Sequence, residues 1–297
     1  MEGEGGAREP GSGIARVDPY GFERPKDFDY VSYEEFFSRY LVILTRRAIK
    51  WSKLLKGNNR IQKSLKVKRY IRKGIPNEHR ALIWMIVSGA QANMEQNPGY
   101  YNKLLEGEKS DTLVEGIKTD YYSPAMMGLK TDQEVLGELV RKKVPAVAEL
   151  MDRHGVMWTL IVSRWFICLF IDILPVETVL RIWDCIFYEG SKIIFRVALA
   201  LIKQHQAFIL EATNLPDICD KFKQITRGTF VTECHTFMQG QSRRCWFQSS
   251  WHWVPLPGTH TIGWLQRGRT WIWRSAPFLL VVLLLRRGMG LVLGHSR

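Results

Sequence analysis

The 297-residue chain is 46% hydrophobic and 24% charged, which is the range of ordinary globular proteins and enough for a substantial core in one or two domains. Its five cysteines, Cys168, Cys185, Cys219, Cys234 and Cys245, include no CxxC pair, so the pattern supports neither a disulfide framework nor a zinc site and points to a reducing compartment, the cytoplasm. The net charge of +13 is uneven: residues 239–297 hold eight Arg with no Lys, Asp or Glu, which leaves +5 for the rest of the chain.

Residues 1–29 read as a disordered leader. The stretch from Met1 to Pro19 is rich in Gly, Glu, Ala and Pro and lacks the basic start and apolar stretch of a secretory signal. A helix is expected between Ser32 and Leu55, where Leu41, Leu44, Ala48, Trp51 and Leu55 recur at three- and four-residue steps. Ser32 and Glu35 have capping-box spacing at its start, and Gly57 stands where a left-handed residue would end it. From Arg46 to Lys73 there are twelve Lys or Arg and no acid. Arg46, Lys50 and Lys53 fall opposite the apolar stripe. This strip is read first as a solvated face and second as a contact for an anionic membrane surface. It lacks the stacking aromatics of a single-strand binder, so no nucleic-acid partner is expected.

Pro76 is expected to open a helix through Arg80 and Trp84 towards Gly89. After a polar stretch to Thr119, helical punctuation returns from Asp132. Pro145 starts and Gly155 ends one segment, and Pro175 starts and Gly190 ends another, with Val179, Ile182, Trp183 and Ile186 facing inward. Met157 to Leu174 is almost continuously apolar. Arg164 and Asp172 make it a poor membrane span, so it is expected to be the central helix of a soluble bundle. No strand alternation occurs, and the fold class is all-α. Residues 239–297 read as an Arg- and Trp-rich addition holding six of the eleven Trp. Within them the apolar run Ala276 to Leu285 is too short to span a bilayer; a buried segment, an interfacial anchor and an aggregation-prone strand all remain open.

The words Gly74-Ile75-Pro76, then Arg80 and Trp84, resemble the opening motif of the TBC domain, the helical GTPase-activating module for Rab-type GTPases. Trp165 to Phe170, Leu174-Pro175, and Arg181-Ile182-Trp183-Asp184 ending at Glu189-Gly190 are similar to that domain's second half, in the right order. The similarity covers residues 30–238. For each of these residues packing is the first expectation: Gly74 for a turn, Arg80 and Trp84 as neighbours on one helical turn, Arg181, Trp183 and Asp184 on a core helix. A scaffold does not establish an activity.

The family resemblance implies an arginine finger in an I-x-x-D-x-x-R motif and a glutamine in a later Y-x-Q-G motif, which together stabilise the transferring phosphate and hold the attacking water. Here Ile117-Lys118-Thr119-Asp120 begins the first motif, but Ser123 stands at the arginine position. A serine is uncharged, short and unable to fork onto phosphate. The words after Asp120 are similar to a much later part of the family's domain. A block of helices, and with it the Y-x-Q-G motif, is therefore expected to be missing between residues 120 and 121. Phe237-Met238-Gln239-Gly240 is a superficial match to that motif and is set aside. Asp120 and Asp184 are read as cap or salt-bridge partners. There is no HExxH, P-loop or GxSxG pattern, so no metal, cofactor or catalytic residue is expected. The expectation is a Rab GTPase-activating protein by descent, an enzyme activator rather than an enzyme, inactive in this form, cytoplasmic and peripheral to membranes in vesicle trafficking. The alternatives are a non-catalytic GTPase- or membrane-binding adaptor and a poorly folding splice product.

Overall fold

A computed structural model of the chain describes residues 18, 20, 28–56, 61–99, 121 and 124–240. Among the described residues it is all helical: α1 (Tyr30–Leu55), α2 (Leu65–Lys73), α3 (Asn77–Ser88), α4 (Ala90–Gln96), α5 (Met127–Lys143), α6 (Pro145–Arg153), α7 (Trp158–Ile167), α8 (Val176–Glu189), α9 (Lys192–Gln204), α10 (Gln206–Leu210), α11 (Leu215–Gln224), α12 (Thr229–Thr232) and α13 (Cys234–Gly240). The chain divides into two compact units. The first holds α1 up to Leu41, and the second begins at Val42.

In the first unit, aromatic residues at helical spacing stack along α1: Tyr33 on Phe37 with ring centres 5.8 Å apart, and Phe36 on Tyr40 at 5.5 Å. The start of the helix differs from expectation. It begins at Tyr30, and Asp29 supplies the cap, its carboxylate accepting from the Ser32 amide at 3.1 Å and from the Ser32 hydroxyl at 2.6 Å. Those bonds favour the ionised form and hold the Asp29 carboxyl below its usual range. The expected Ser32 and Glu35 capping box is therefore replaced by Asp29 acting on Ser32. The apolar stripe holds except at its first residue: Trp51 is buried and Leu44, Ala48 and Leu55 are half-buried, but Leu41 is 51% exposed, and the buried Arg47 adds a guanidinium to the inward face. Arg46, Lys50 and Lys53 are exposed as expected, and Gly57 lies outside the described residues.

The second unit is built around α8, whose neighbours are α9, α3, α13, α2 and α12. Val179, Ile182, Trp183 and Ile186 are buried, as the pattern predicts, and α9 buries Ile193 to Ile202 apart from Arg196. α5 packs on α6, α7 and α9. At its crossing with α7, Gly137 is required by closeness, since a Cβ there would lie 2.7 Å from Trp158 Cδ1. Pro145 occupies the first turn of α6, Pro175 caps α8 and Gly190 ends it. Pro76 stands just before α3, and the left-handed Gly89 follows its last residue.

Met157 to Leu174 is not the central helix. α7 stops at Ile167, and Leu169, Phe170 and Asp172 adopt positive φ, so the second half of the apolar run is a turn that folds Phe170 back against Trp165, 6.3 Å between rings. Met157 and Leu160 are 71% and 56% exposed, and Arg164 and Asp172 both face solvent. The two charges need no partner in a core. Apolar composition had suggested one element, and backbone conformation divides it. No helix among the described residues is long and apolar enough to cross a membrane. The expected leader lies largely outside the described residues, as does the tail beyond Gly240; α13 carries the helical backbone two residues past the expected boundary at 238.

Candidate functional site

The turn between α2 and α3 meets α8 in a buried polar cluster, assembled from residues that the sequence had marked as architecture. Gly74 ends α2, its amide donating to the Tyr70 and Ile71 carbonyls at 3.1 and 2.8 Å. It adopts φ +107° and ψ 143°, a conformation that residues with a Cβ resist. A Cβ would also lie 2.6 Å from Arg181 Nε and 2.7 Å from Arg47 Nη1. Glycine is thus demanded twice, by backbone and by space. Its carbonyl accepts from Trp51 Nε1 at 3.0 Å, which fastens the end of α1 to the same turn.

Asp184 is the centre. It has no exposed surface, and both oxygens are occupied: Oδ2 accepts from the Ile75 amide at 2.9 Å, and Oδ1 accepts from Arg80 Nε at 3.1 Å and Trp84 Nε1 at 2.9 Å. Arg80 spends its other nitrogens on the Ile75 carbonyl at 2.7 Å and Asn77 Oδ1 at 3.0 Å. A buried carboxylate is tolerable only when paired and hydrogen-bonded, and this one is paired with Arg80 and bonded at both oxygens. Ile75 and Pro76 are buried beside it, and Trp84 sits 5.9 Å from Trp183. Arg181, one turn before Asp184 on α8, donates from Nη2 to the Arg72 carbonyl at 2.6 Å.

Two further clusters were not anticipated. Glu189, at the end of α8, receives Arg72 through both oxygens at 2.5 and 2.7 Å, with Lys68 at 3.3 Å and Arg196 at 3.6 Å. Burial would raise its pKa, but the hydrogen bonds and charges of Arg72 and Lys68 outweigh that, so the carboxyl titrates below its ordinary value. Arg47 Nη2 donates to His235 Nδ1 at 2.7 Å, joining positions 188 residues apart. Burial, then the positive charges of Arg47 and Arg181, press the His235 pKa down to about 4. On α5, burial pushes Asp132 up to about 6 against a hydrogen bond from Tyr121 that favours the anion. Burial likewise pushes the Cys185 thiol up to about 12, so it is an inert core group.

Chemically, this arrangement clamps. The guanidiniums of Arg80 and Arg181 are 5% and 0% exposed and engaged within the fold, so neither can be presented to a phosphate on another protein. The Asp184 carboxylate is fully buried and accepts three hydrogen bonds from within the fold, so it is not offered to a substrate as a base. The structure brings Gly74, Ile75, Pro76, Arg80, Trp84, Arg181, Trp183 and Asp184 together. Ile117, Asp120 and Ser123 lie outside the described residues, as does the side chain of Gln239. Sequence reasoning passed over Glu189 and His235 as partners. The presence of Arg181 and Asp184 inside the apolar face of α8 was the available signal that a polar network crosses the core.

A model of the Rab-GTPase-TBC domain matches residues 113–210. Growth hormone-regulated TBC protein 1 of Mus musculus is 56% identical over 317 aligned positions, covering 76% of this chain and 88% of the relative. Since 76% of 297 residues is about 226, about 90 of those positions have no residue in this chain. The Rattus norvegicus protein of the same name is 61% identical over 247 positions, covering 76% of this chain and 86% of the relative, which leaves about 20 such positions. Among solved structures, the crystal structure of the Chlamydomonas flagellar RabGAP TBC domain superposes with a TM-score of 0.59 at 21% identity, covering 77% of this chain and all of that one.

Proposed function

The chain belongs to the Rab-GTPase-TBC domain family, and from that premise we propose that it binds a Rab-type GTPase without accelerating GTP hydrolysis. The observation that carries this is the interrupted finger motif, Ile117-Lys118-Thr119-Asp120 followed by Tyr121-Tyr122-Ser123. The roughly 90 positions of the mouse relative that find no counterpart here are room enough for the glutamine motif, and the far smaller shortfall against the rat relative supports a form of the domain, arising by alternative splicing, from which the block is absent. An arginine finger supplied in trans is worth about 10³ to 10⁵ in rate. A serine at that position contributes nothing comparable, because hydrolysis is limited by charge building on the phosphate oxygens.

The fold supports this reading over that of a collapsed remnant. The clamp on Asp184 is complete, and α8 and α9 are enclosed, so the scaffold retains its centre. We place the protein in the cytoplasm, peripheral to membranes, in vesicle trafficking. The basic strip from Arg46 to Lys73 and the unpaired cysteine pattern support that position.

Single-turnover hydrolysis across a panel of GTP-loaded Rabs tests the proposal. The expected rate with saturating protein equals the intrinsic one in every case. Ser123→Arg alone is expected to stay within about tenfold of it, since the water-positioning carboxamide is missing as well. Acceleration of a hundredfold by the unaltered chain on any one Rab would overturn the reading.

A further inference from the structure

We propose that the solvent-facing sides of α1 and α2 form a docking surface for an anionic lipid bilayer. This deepens the peripheral-membrane part of the reading above by naming the surface and the lipid class, and it requires no GTPase. On α1, from the first residue of the second unit onward, Val42, Arg46, Ile49, Lys50 and Lys53 each stand three or four residues from another of the set and are all exposed. On α2, Leu65, Lys66, Arg69 and Lys73 do the same. The helices are neighbours. Trp51 of α1 donates to the Gly74 carbonyl at the end of α2 and lies 5.9 Å from the Tyr70 ring.

The inward basic residues of this stretch are already committed, Arg47 to His235, and Lys68 and Arg72 to Glu189. Eight others, Arg46, Lys50, Lys53, Lys56, Lys63, Lys66, Arg69 and Lys73, are exposed, and none forms an ion pair with an acid among the described residues. The sequence between Arg46 and Lys73 contains no acid to neutralise them. Cations that serve the fold are paired in this molecule; these are left outward.

The apolar residues between the charges choose the partner. Val42 and Ile49 are each 53% exposed and Leu65 is 75% exposed. Aliphatic side chains interleaved with Lys and Arg suit a bilayer, where the charges meet phosphate headgroups and the aliphatic groups enter the boundary with the acyl chains. A nucleic acid would offer bases for stacking, and the exposed stripe holds no aromatic: Trp51 is buried and Tyr70 half-buried.

Co-sedimentation of the full chain with phosphatidylcholine vesicles, with and without phosphatidylserine, tests the surface. Binding is expected only with phosphatidylserine, weakening tenfold or more between about 0.1 M and 0.5 M salt as screening shortens the range of the charges. Each basic residue near such a surface is worth about fivefold in partitioning, so Arg46→Gln/Lys50→Gln/Lys53→Gln should bind about 100-fold more weakly. Ile49→Ser/Leu65→Ser should lose about tenfold on the same vesicles. A triple variant with the same loss of charge elsewhere, Lys142→Gln/Lys143→Gln/Arg153→Gln, should change by less than about threefold. Thermal unfolding curves matching that of the parent establish that the variants fold. Equal binding to neutral vesicles, equal loss in the two triple variants, unchanged binding of the first, or tighter binding to single-stranded RNA than to any vesicle each overturns the proposal. Because no GTPase is present, such a failure leaves the Rab-binding reading standing.

Discussion

Two stretches carry family words, and the fold makes different demands on them. Around Gly74-Ile75-Pro76 every residue of the motif is present and closed onto Asp184, with donors from the turn, from Arg80 and from Trp84. In the reading proposed above, the motif that begins at Ile117 stops after Asp120, and Ser123 stands where the family's guanidinium would act. The two stretches answer to different physics. The first is held by internal demand, since the turn, Arg80 and Trp84 all donate to one buried carboxylate; the second, in the proposed reading, would serve only a phosphate on another molecule. A chain can therefore lose the second and keep the first, which makes retention of the fold weak evidence for retention of the activity.

The largest effect on that comparison should come from Asp184→Ala. It leaves the Arg80 guanidinium, the Ile75 amide and the Trp84 indole buried without their acceptor, and breaking a buried pair from one side costs about 3–5 kcal/mol. Set against a typical domain stability of about 5–15 kcal/mol, that should bring the chain near unfolding, read as loss of the cooperative transition in a denaturant titration. Ser123→Ala should move the same transition by less than about 0.5 kcal/mol, as an ordinary substitution does. If the two variants were equally stable, the division between internal and external demand would fail.

Gly74→Ala comes next. Forcing a Cβ into φ +107° costs about 1–3 kcal/mol in backbone strain. Displacing the Arg181 and Arg47 guanidiniums, 2.6 and 2.7 Å from the new carbon, adds to that. A loss of about 2–4 kcal/mol is expected, whereas Gly155→Ala, at φ +59° with open space around it, should cost about 1–2 kcal/mol from the backbone alone. A Gly74 variant no worse than the Gly155 one would show that the two arginines simply move aside.

What could be read in advance follows the same division. α8 was legible because Val179, Ile182, Trp183 and Ile186 repeat at helical spacing between Pro175 and Gly190, and each of those signals is local. α2 was overlooked because only Val67 and Ile71 are buried in it, and two apolar residues among Lys and Arg make no visible stripe; its local mark was Ser64, whose hydroxyl accepts from the Val67 amide at 3.2 Å. The turn after Ile167 was hidden because Leu169, Phe170 and Asp172 take positive φ without the glycines that usually announce it. Asp184 could be placed on a helix but not given partners, for these lie 100 to 109 residues away. The contact between Arg47 and His235 had no signal at all in a single chain.

The smallest effect concerns acid, and it separates a residue of α13 from one of α5. His235 has an ordinary pKa of 6.5 and one of about 4 in the folded chain. Between those values the unfolded chain takes up a proton that the native one refuses, so stability falls as pH drops. Asp132 moves the other way, from 3.8 to about 6. There the native chain takes up the proton first, and stability rises as pH drops. Glu189 does not interfere above pH 4.5, its ordinary value, because its folded pKa lies lower still and its contribution stays intact. Between pH 7.5 and 5 each opposing contribution is about 1 kcal/mol once solvent screening of the half-buried His235 is allowed for, so the parent's denaturation midpoint should be nearly flat. His235→Asn keeps a carbonyl to accept from Arg47 and removes the titration, and its midpoint should rise on acidification. Asp132→Asn should fall over the same range. If both variants keep the parent's profile, neither group is linked to folding, and any pH response belongs to residues other than these two.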